Sequence, residues 1–281
     1  RPVIQILRPQ EYLGVCFFCS SIGFLVGGST SVTNIALSLL ANSCALAFAF
    51  AFNDLQDMHD DKESKRGRTR NPLVNGQLST RNAVQLCTLA IIVSLAASAL
   101  LGFIALLINA ITLFLGFLYS WRVVRLKSIA IVDVLSHGLF IGPMQFFLAL
   151  VATGGQVFDG YHLSFAVLFF LISGISDLSN EIRDYDADRK ANLRNLLSLI
   201  DLRKFEAKFH YLSACLSLLV LGLIIPQIST TSVYLLFAIL LAFLGAYFLY
   251  KKKDRRRTAF ELWSQLGAFG MALVFIQNAL S

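Results

Sequence analysis

The chain has 281 residues, of which 56% are hydrophobic and 15% charged, with a net charge of +7 and a mean hydropathy of +0.68. A soluble domain of this length carries more charge and shorter apolar runs, so these values exclude a soluble enzyme. They also exclude a nucleic-acid-binding module, which needs a basic water-soluble body. What remains is an all-α membrane protein whose backbone polar groups are satisfied within helices.

Nine candidate spans follow in chain order, at 12–29, 33–52, 83–100, 102–120, 129–151, 162–179, 209–226, 231–250 and 262–280. Most are close to the roughly 20 residues that a helix needs to cross the hydrocarbon. Span two runs directly into NDLQDMHDD, which places Asn53, Asp54, Asp57 and Asp61 at its polar end. A polar segment, 53–82, follows with Lys62 and Arg70, and its Asn71-Pro72 and Asn75-Gly76 pairs mark turns. Gly102 separates spans three and four by a tight turn. Span four ends at Tyr119-Ser120, and Arg122, Arg125 and Lys127 come next.

Span five carries Asp133 and His137, four residues apart and so on one helix face. Ionisable groups at membrane depth are functional candidates, here for shaping a pocket or steering protons. A simple pair between Asp133 and Lys127 is the alternative. Span six ends with Asp177 and then NEIRDYDAD, which holds Asn180, Glu181, Asp184 and Asp188 ahead of Lys190. Asp177 is one turn before Asn180, where it is either a further metal ligand, a base that removes a proton or a hydrogen-bonded structural acid.

Charge placement orients these spans. With the N-terminus inside, all 24 Lys and Arg residues fall in the inner segments 1–11, 53–82, 121–128, 180–208 and 251–261. The positive-inside rule then puts both acidic rows on the cytoplasmic side. The basic loops face anionic lipid there. The cysteines Cys16, Cys19, Cys44, Cys87 and Cys215 all lie within spans, so no disulfide framework is expected, and the Cys16-x-x-Cys19 spacing is expected to be packing. The N-terminal residues carry no cleavable-leader pattern, and the first span can serve as the anchor.

The two acidic rows share one pattern, Asn-[Asp/Glu]-x-x-Asp-x-x-x-Asp, and they follow spans two and six. That placement predicts duplication of a four-helix unit, with one helix added at the end. Carboxylates three or four residues apart share a helix face and repel one another unless a cation joins them. Oxygen-only ligands of this kind suit Mg2+, above all when a phosphate completes the shell. Two such rows on one side of a membrane predict a site for a lipid diphosphate.

The motifs resemble the UbiA superfamily of intramembrane prenyltransferases. Asn53-Asp54-x-x-Asp57-x-x-x-Asp61 matches its first signature, and Asp184-x-x-x-Asp188 matches its second. Leu7-Arg8-Pro9, the Arg70-to-Ser79 loop and Tyr119-Ser120 followed by Leu126-Lys127 are similar to further family stretches. Arg70 precedes Asn71 where the family pattern puts Arg before Pro, and the stretch after Asp188 lacks the Gly and Thr of quinone-forming members.

The resemblance implies a nine-helix bundle forming one transmembrane domain over 1–281, around a central cavity capped by segments 53–82 and 180–208. It implies Mg2+-dependent transfer of a prenyl group from a polyprenyl diphosphate to an aromatic or other lipophilic acceptor. Asn53, Asp54, Asp57, Asp61, Asp184 and Asp188 would hold metal, and Asn180 and Glu181 are added from the internal echo. Lys62, Arg70, Lys127 and Lys190 are the expected diphosphate contacts. Asp177, Asp133 and Tyr119 are the expected catalytic residues. A cyclase of the same superfamily, acting without an acceptor, is the alternative, and an ion or phospholipid transporter is a third reading.

Overall fold

A computed structural model describes residues 2–28, 31–63, 65–190, 196, 206–227 and 266–274. Its helices are α1 (Pro2–Leu7), α2 (Pro9–Gly27), α3 (Val32–Gln56), α4 (Met58–Glu63), α5 (Lys65–Arg70), α6 (Thr80–Leu101), α7 (Phe103–Ser120), α8 (Ala130–Ile141), α9 (Pro143–Ala152), α10 (Gly160–Lys190) and α11 (Glu206–Ile224). Among the described residues, six stretches are long and apolar enough to cross a membrane: Pro9–Gly27, Val32–Gln56, Thr80–Leu101, Phe103–Ser120, Ala130–Ala152 and Gly160–Leu178. The seventh expected span coincides with α11. The eighth, 231–250, lies outside the described residues, and the ninth is described, as helix, only over 266–274.

The helix boundaries have local causes. Ser31 caps α3 by accepting from the Asn34 N–H at 3.1 Å, and Ser79 caps α6 by accepting from the Asn82 N–H at 3.2 Å. Pro9 and Pro143 open α2 and α9, where a missing N–H costs nothing. Gly102 turns α6 into α7 at φ +117, a conformation that an L side chain resists.

Two sequence expectations need correction. The first acidic row does not sit on one continuous helix. α3 ends at Gln56 and α4 begins at Met58, so the chain turns at Asp57 and Asp61 belongs to a separate short helix. Span five is also broken. Pro143 supplies no N–H to continue the helix of α8, and Gly142 adopts φ −98 and ψ −81 between the halves. Gln145 repairs the gap, because its side-chain Nε2 donates to the Phe140 carbonyl at 2.9 Å.

The core is rich in phenylalanine. Phe18 of α2 meets Phe169 of α10 edge-on at 5.7 Å, and Phe146 of α9 lies against Phe165 and Phe169. Buried polar groups tie the helices together. Asn42 donates to Ser20 and to the Gln145 carbonyl, each at 2.9 Å, and Asn109 donates to Ser94 and Ser98. Such bonds are worth about 0.6 kcal/mol each in lipid. The opposite faces of α6 and α7 expose Leu89, Ile92, Leu100, Phe103, Leu107 and Phe114, a surface matched to hydrocarbon.

Close approach of α2 to α9 depends on Gly23, where an added Cβ would lie 2.7 Å from the Phe146 carbonyl oxygen and 2.9 Å from the Ala149 Cβ. Gly23→Leu is therefore expected to cost about 1–3 kcal/mol through overpacking. Thermal unfolding in detergent measures this, and an unchanged melting temperature would show that the two helices need no such contact.

Candidate functional site

The site forms where α3, α7, α8 and α10 come together near the 121–128 turn. Asn53 and Asp54 occupy the last turn of α3. The Asn53 side-chain oxygen accepts from Ser120 Oγ at 3.0 Å and from Lys127 Nζ at 2.8 Å. The same ammonium reaches Asp57 Oδ2 at 2.5 Å. One cation thus already joins two oxygens of the first row, so the donor set suits a cation bound between them. Arg125 Nη2 reaches Asp57 Oδ1 at 3.1 Å. Burial alone pushes the Asp57 carboxyl up, but Lys127, followed by Arg125 and Arg70, outweighs it and holds the group below the ordinary carboxylate value.

Asp54 is fully buried and has Arg8 and Arg70 at 3.4 Å from its Oδ1. Asp61 accepts from Asn71 Nδ2 at 2.8 Å and has Arg70 at 3.4 Å. Arg8 also pairs with Glu11 and lies over the Phe50 ring. Arg8 and Arg125 both occupy the left-handed region, at φ 51 and φ 46. Non-glycine residues hold such backbone only where their surroundings enforce it. Two arginines in this state both contact the first row. The Nε atoms of Arg70 and Arg125 are buried and have no acceptor. A guanidinium N–H left in this way is a ready donor to an oxygen-rich anion.

A second acidic group lies on α8 and α10. Asp133 of α8 and Asp177 and Glu181 of α10 are buried, and their carboxylate oxygens lie within 4.8 Å of one another. Three carboxylates so close are stable only by sharing protons or meeting a cation. Tyr119 packs against His137, with ring centroids 6.0 Å apart. His137 Nε2 is 3.7 Å from Asp177 Oδ1, and its Nδ1 lies 3.4 Å from Ser173 Oγ. Tyr119 and Phe140 pack edge-on at 5.5 Å beside this group. The end of α7 bridges the two halves, since Ser120 bonds Asn53 and its neighbour Tyr119 packs against His137, whose Nε2 approaches Asp177.

The structure therefore brings Asn53, Asp54, Asp57, Asp61, Arg70 and Lys127 together, and groups Tyr119, Asp133 and Asp177 beside them. Asp133 does not pair with Lys127; that lysine goes to Asn53 and Asp57. Glu181 joins Asp133 and Asp177, a grouping that the echo between the rows did not anticipate. Lys62 is exposed on α4. Asn180, Asp184, Asp188 and Lys190 lie on the last turns of α10, and their side chains fall outside the described residues. Sequence reasoning passed over Arg8, Asn71, Asp60 and Arg125 as site residues. For Arg125 the basic-loop rule was explanation enough, and only its left-handed backbone and buried Nε single it out.

Comparison with known proteins places the fold and the family. Residues 14–274 match the UbiA prenyltransferase family. The chain is 24% identical over 206 residues to digeranylgeranylglyceryl phosphate synthase of Pyrococcus horikoshii, covering 72% of this chain and 69% of that protein. It is 26% identical over 212 residues to 4-hydroxybenzoate octaprenyltransferase of Francisella tularensis, covering 71% and 68%. Its fold is shared with a UbiA homologue from Archaeoglobus fulgidus bound to GPP and Mg2+, at a TM-score of 0.72 and 21% identity, over 98% of this chain and 99% of that one. The apo UbiA homologue from Aeropyrum pernix superposes at 0.70 with 20% identity, over 92% and 96%. The match across most of its length shows that the chain belongs to the UbiA prenyltransferase family.

Proposed function

We propose that the protein moves a prenyl group from a polyprenyl diphosphate to an aromatic or other lipophilic acceptor, in a reaction that requires Mg2+. The observation that carries this proposal is the end of α7, where Ser120 touches the first acidic row and Tyr119 packs against His137, which reaches Asp177 of the second group. Diphosphate chemistry and proton removal would then occur side by side.

In this scheme Asn53, Asp54, Asp57 and Asp61 hold the metal together with Asn180, Asp184 and Asp188 of α10. When bound, Mg2+ neutralises the diphosphate and makes it a better leaving group. Lys62, Arg70, Lys127 and Lys190 contact the diphosphate, and Arg125 joins them on the strength of its unspent Nε donor. The allylic C–O bond breaks with its electron pair leaving on the diphosphate. The faces of Tyr119 and Phe140 stabilise the resulting cation, and the apolar helices exclude water. A nucleophilic atom of the acceptor forms the new bond to the prenyl carbon, and its proton passes to Asp177. Asp133 and Tyr119 hold that carboxyl in place.

The architecture in this proposal is one transmembrane domain of nine helices over residues 1–281, built from a duplicated four-helix unit and one added helix. Segments 53–82 and 180–208 cap it on the cytoplasmic side, a placement supported by the distribution of all 24 Lys and Arg residues.

The test uses purified protein in lipid nanodiscs, supplied with several prenyl diphosphates, Mg2+ and candidate acceptors, with products read by mass spectrometry. An acceptor-dependent prenylated product that disappears with excess chelator is expected. A cyclic hydrocarbon or alcohol formed without acceptor would replace transfer by cyclisation. Metal-dependent flux without turnover would replace both by transport, and undiminished turnover in chelator would sink the metal assignment.

A further inference from the structure

Asp60 and Asp61 are neighbours in sequence but face different partners. Asp61 takes Arg70 and Asn71 from its own loop. Asp60 faces the turn between α7 and α8, where its Oδ1 accepts from Arg122 Nη2 at 3.1 Å and its Oδ2 from Arg125 Nη2 at 2.6 Å. The repeated pattern Asn-[Asp/Glu]-x-x-Asp-x-x-x-Asp leaves position 60 open, so nothing in the metal-ligand set explains this carboxylate.

Arg125 is the residue that Asp60 restrains. Its backbone sits at φ 46 and ψ 61, and its carbonyl accepts from both the N–H and the Oγ of Ser128, each at 2.8 Å. Its Nη2 is shared between Asp57 and Asp60, while its Nε–H is buried without an acceptor. The two carboxylates are not equivalent. Asp57 belongs to the proposed metal-ligand set, and a carboxylate that shares its charge with a metal holds a guanidinium less strongly. Asp60 lies outside that set and keeps its hold.

We infer that Asp60 is a positioning residue for the diphosphate. It retains Arg125 beside the first acidic row when Asp57 is engaged elsewhere, so that the unspent Nε–H stays available to a phosphate oxygen. This rests on the functional proposal above, which assigns Asp57 to metal and Arg125 to diphosphate. A bidentate guanidinium is effective only when its plane is fixed, and an arginine held by backbone alone keeps its side-chain freedom.

The experiment measures calorimetric binding of geranyl S-thiolodiphosphate, which resists ionisation, to protein in nanodiscs with Mg2+ present. Asp60→Asn is expected to weaken binding about tenfold, in the range seen when a supporting partner is removed. Asp60→Glu should recover most of the loss. The double variant Asp60→Asn/Arg125→Ala should bind no more weakly than Arg125→Ala alone, because both changes remove one device. Mn2+ binding without the analogue, read by electron paramagnetic resonance, should stay near wild type in Asp60→Asn, which a general collapse of the site would not allow. If Asp60→Asn does not fold, Asp60→Ser serves the same comparison. Wild-type affinity in the Asp60 variant, or independent effects of the two substitutions that multiply, would overturn the inference. If instead the wild type binds the analogue equally well without divalent metal, the parent proposal fails, and that outcome is distinct from either of these.

Discussion

Asp57→Asn is expected to reduce Mg2+-dependent diphosphate release by about a thousandfold or more. The size follows from the position of the residue. Its two oxygens face Lys127 on one side and Arg125 on the other, and it lies at the turn between α3 and α4. Removing its charge withdraws one proposed metal ligand and leaves two half-buried cations with a weaker partner. Loss of a single well-placed electrostatic contact costs about 10²–10³ in rate, and loss of metal polarisation adds several kcal/mol. Stability should also fall, by up to about 3 kcal/mol, because one partner of a largely buried ion pair has been removed. Diphosphate release and thermal unfolding measured on the same preparation separate the two effects. Turnover within tenfold of wild type in folded Asp57→Asn protein would remove the first row from the chemistry.

Asp177→Asn is expected to lower acceptor prenylation by about 10²–10⁴, the usual contribution of a positioned acid or base. Diphosphate release without acceptor should fall much less, since that step is proposed to use the other acidic row. Asp177 is suited to this division of labour because it sits in a buried group with Asp133 and Glu181, reached by His137, against which Tyr119 packs. A proton delivered there is shared by several oxygens. The check is to measure prenylated product and free prenol in parallel. If both rates fall by the same factor, Asp177 supports the metal or the fold and is not the proton acceptor. Asp133→Asn should have the smaller effect of the two, as it acts through its neighbours.

The first acidic row was readable because its residue types and spacing are themselves the chemistry: carboxylates at helical intervals after an apolar run demand a cation. Asn53, Asp57 and Lys127 do meet. The six described crossings were readable for a similar reason, since length and apolarity are what a bilayer selects. Two things were hidden. The turn at Asp57 leaves no signature, because neither Gln56 nor Met58 is a helix breaker. The grouping of Asp133 with Asp177 and Glu181 joins residues from two spans, and no pattern within one span encodes a contact with another. Lys127 lies six residues from Asp133 and looked like its natural partner, yet the turn at 126–128 carries its ammonium to the first row instead. The span 129–151 read as one sustained apolar run, and the Gly142-Pro143 pair within it went unused.

The interruption at Gly142 makes a single crossing answer to two sets of neighbours. α8 lies against α10 and carries Asp133 and His137, while α9 lies against α2 through the glycine contacts at Gly23. The joint between them is a side-chain bond from Gln145, not continuous main-chain pairing. The two halves therefore have separate registers. An extra residue inserted within α8 would rotate Asp133 by about 100° about its own axis and away from Tyr119, while the seam between α2 and α9 kept its phase. Insertion scanning along this crossing should divide at residue 142 into one stretch where additions silence the enzyme but leave it assembled, and another where they prevent assembly altogether.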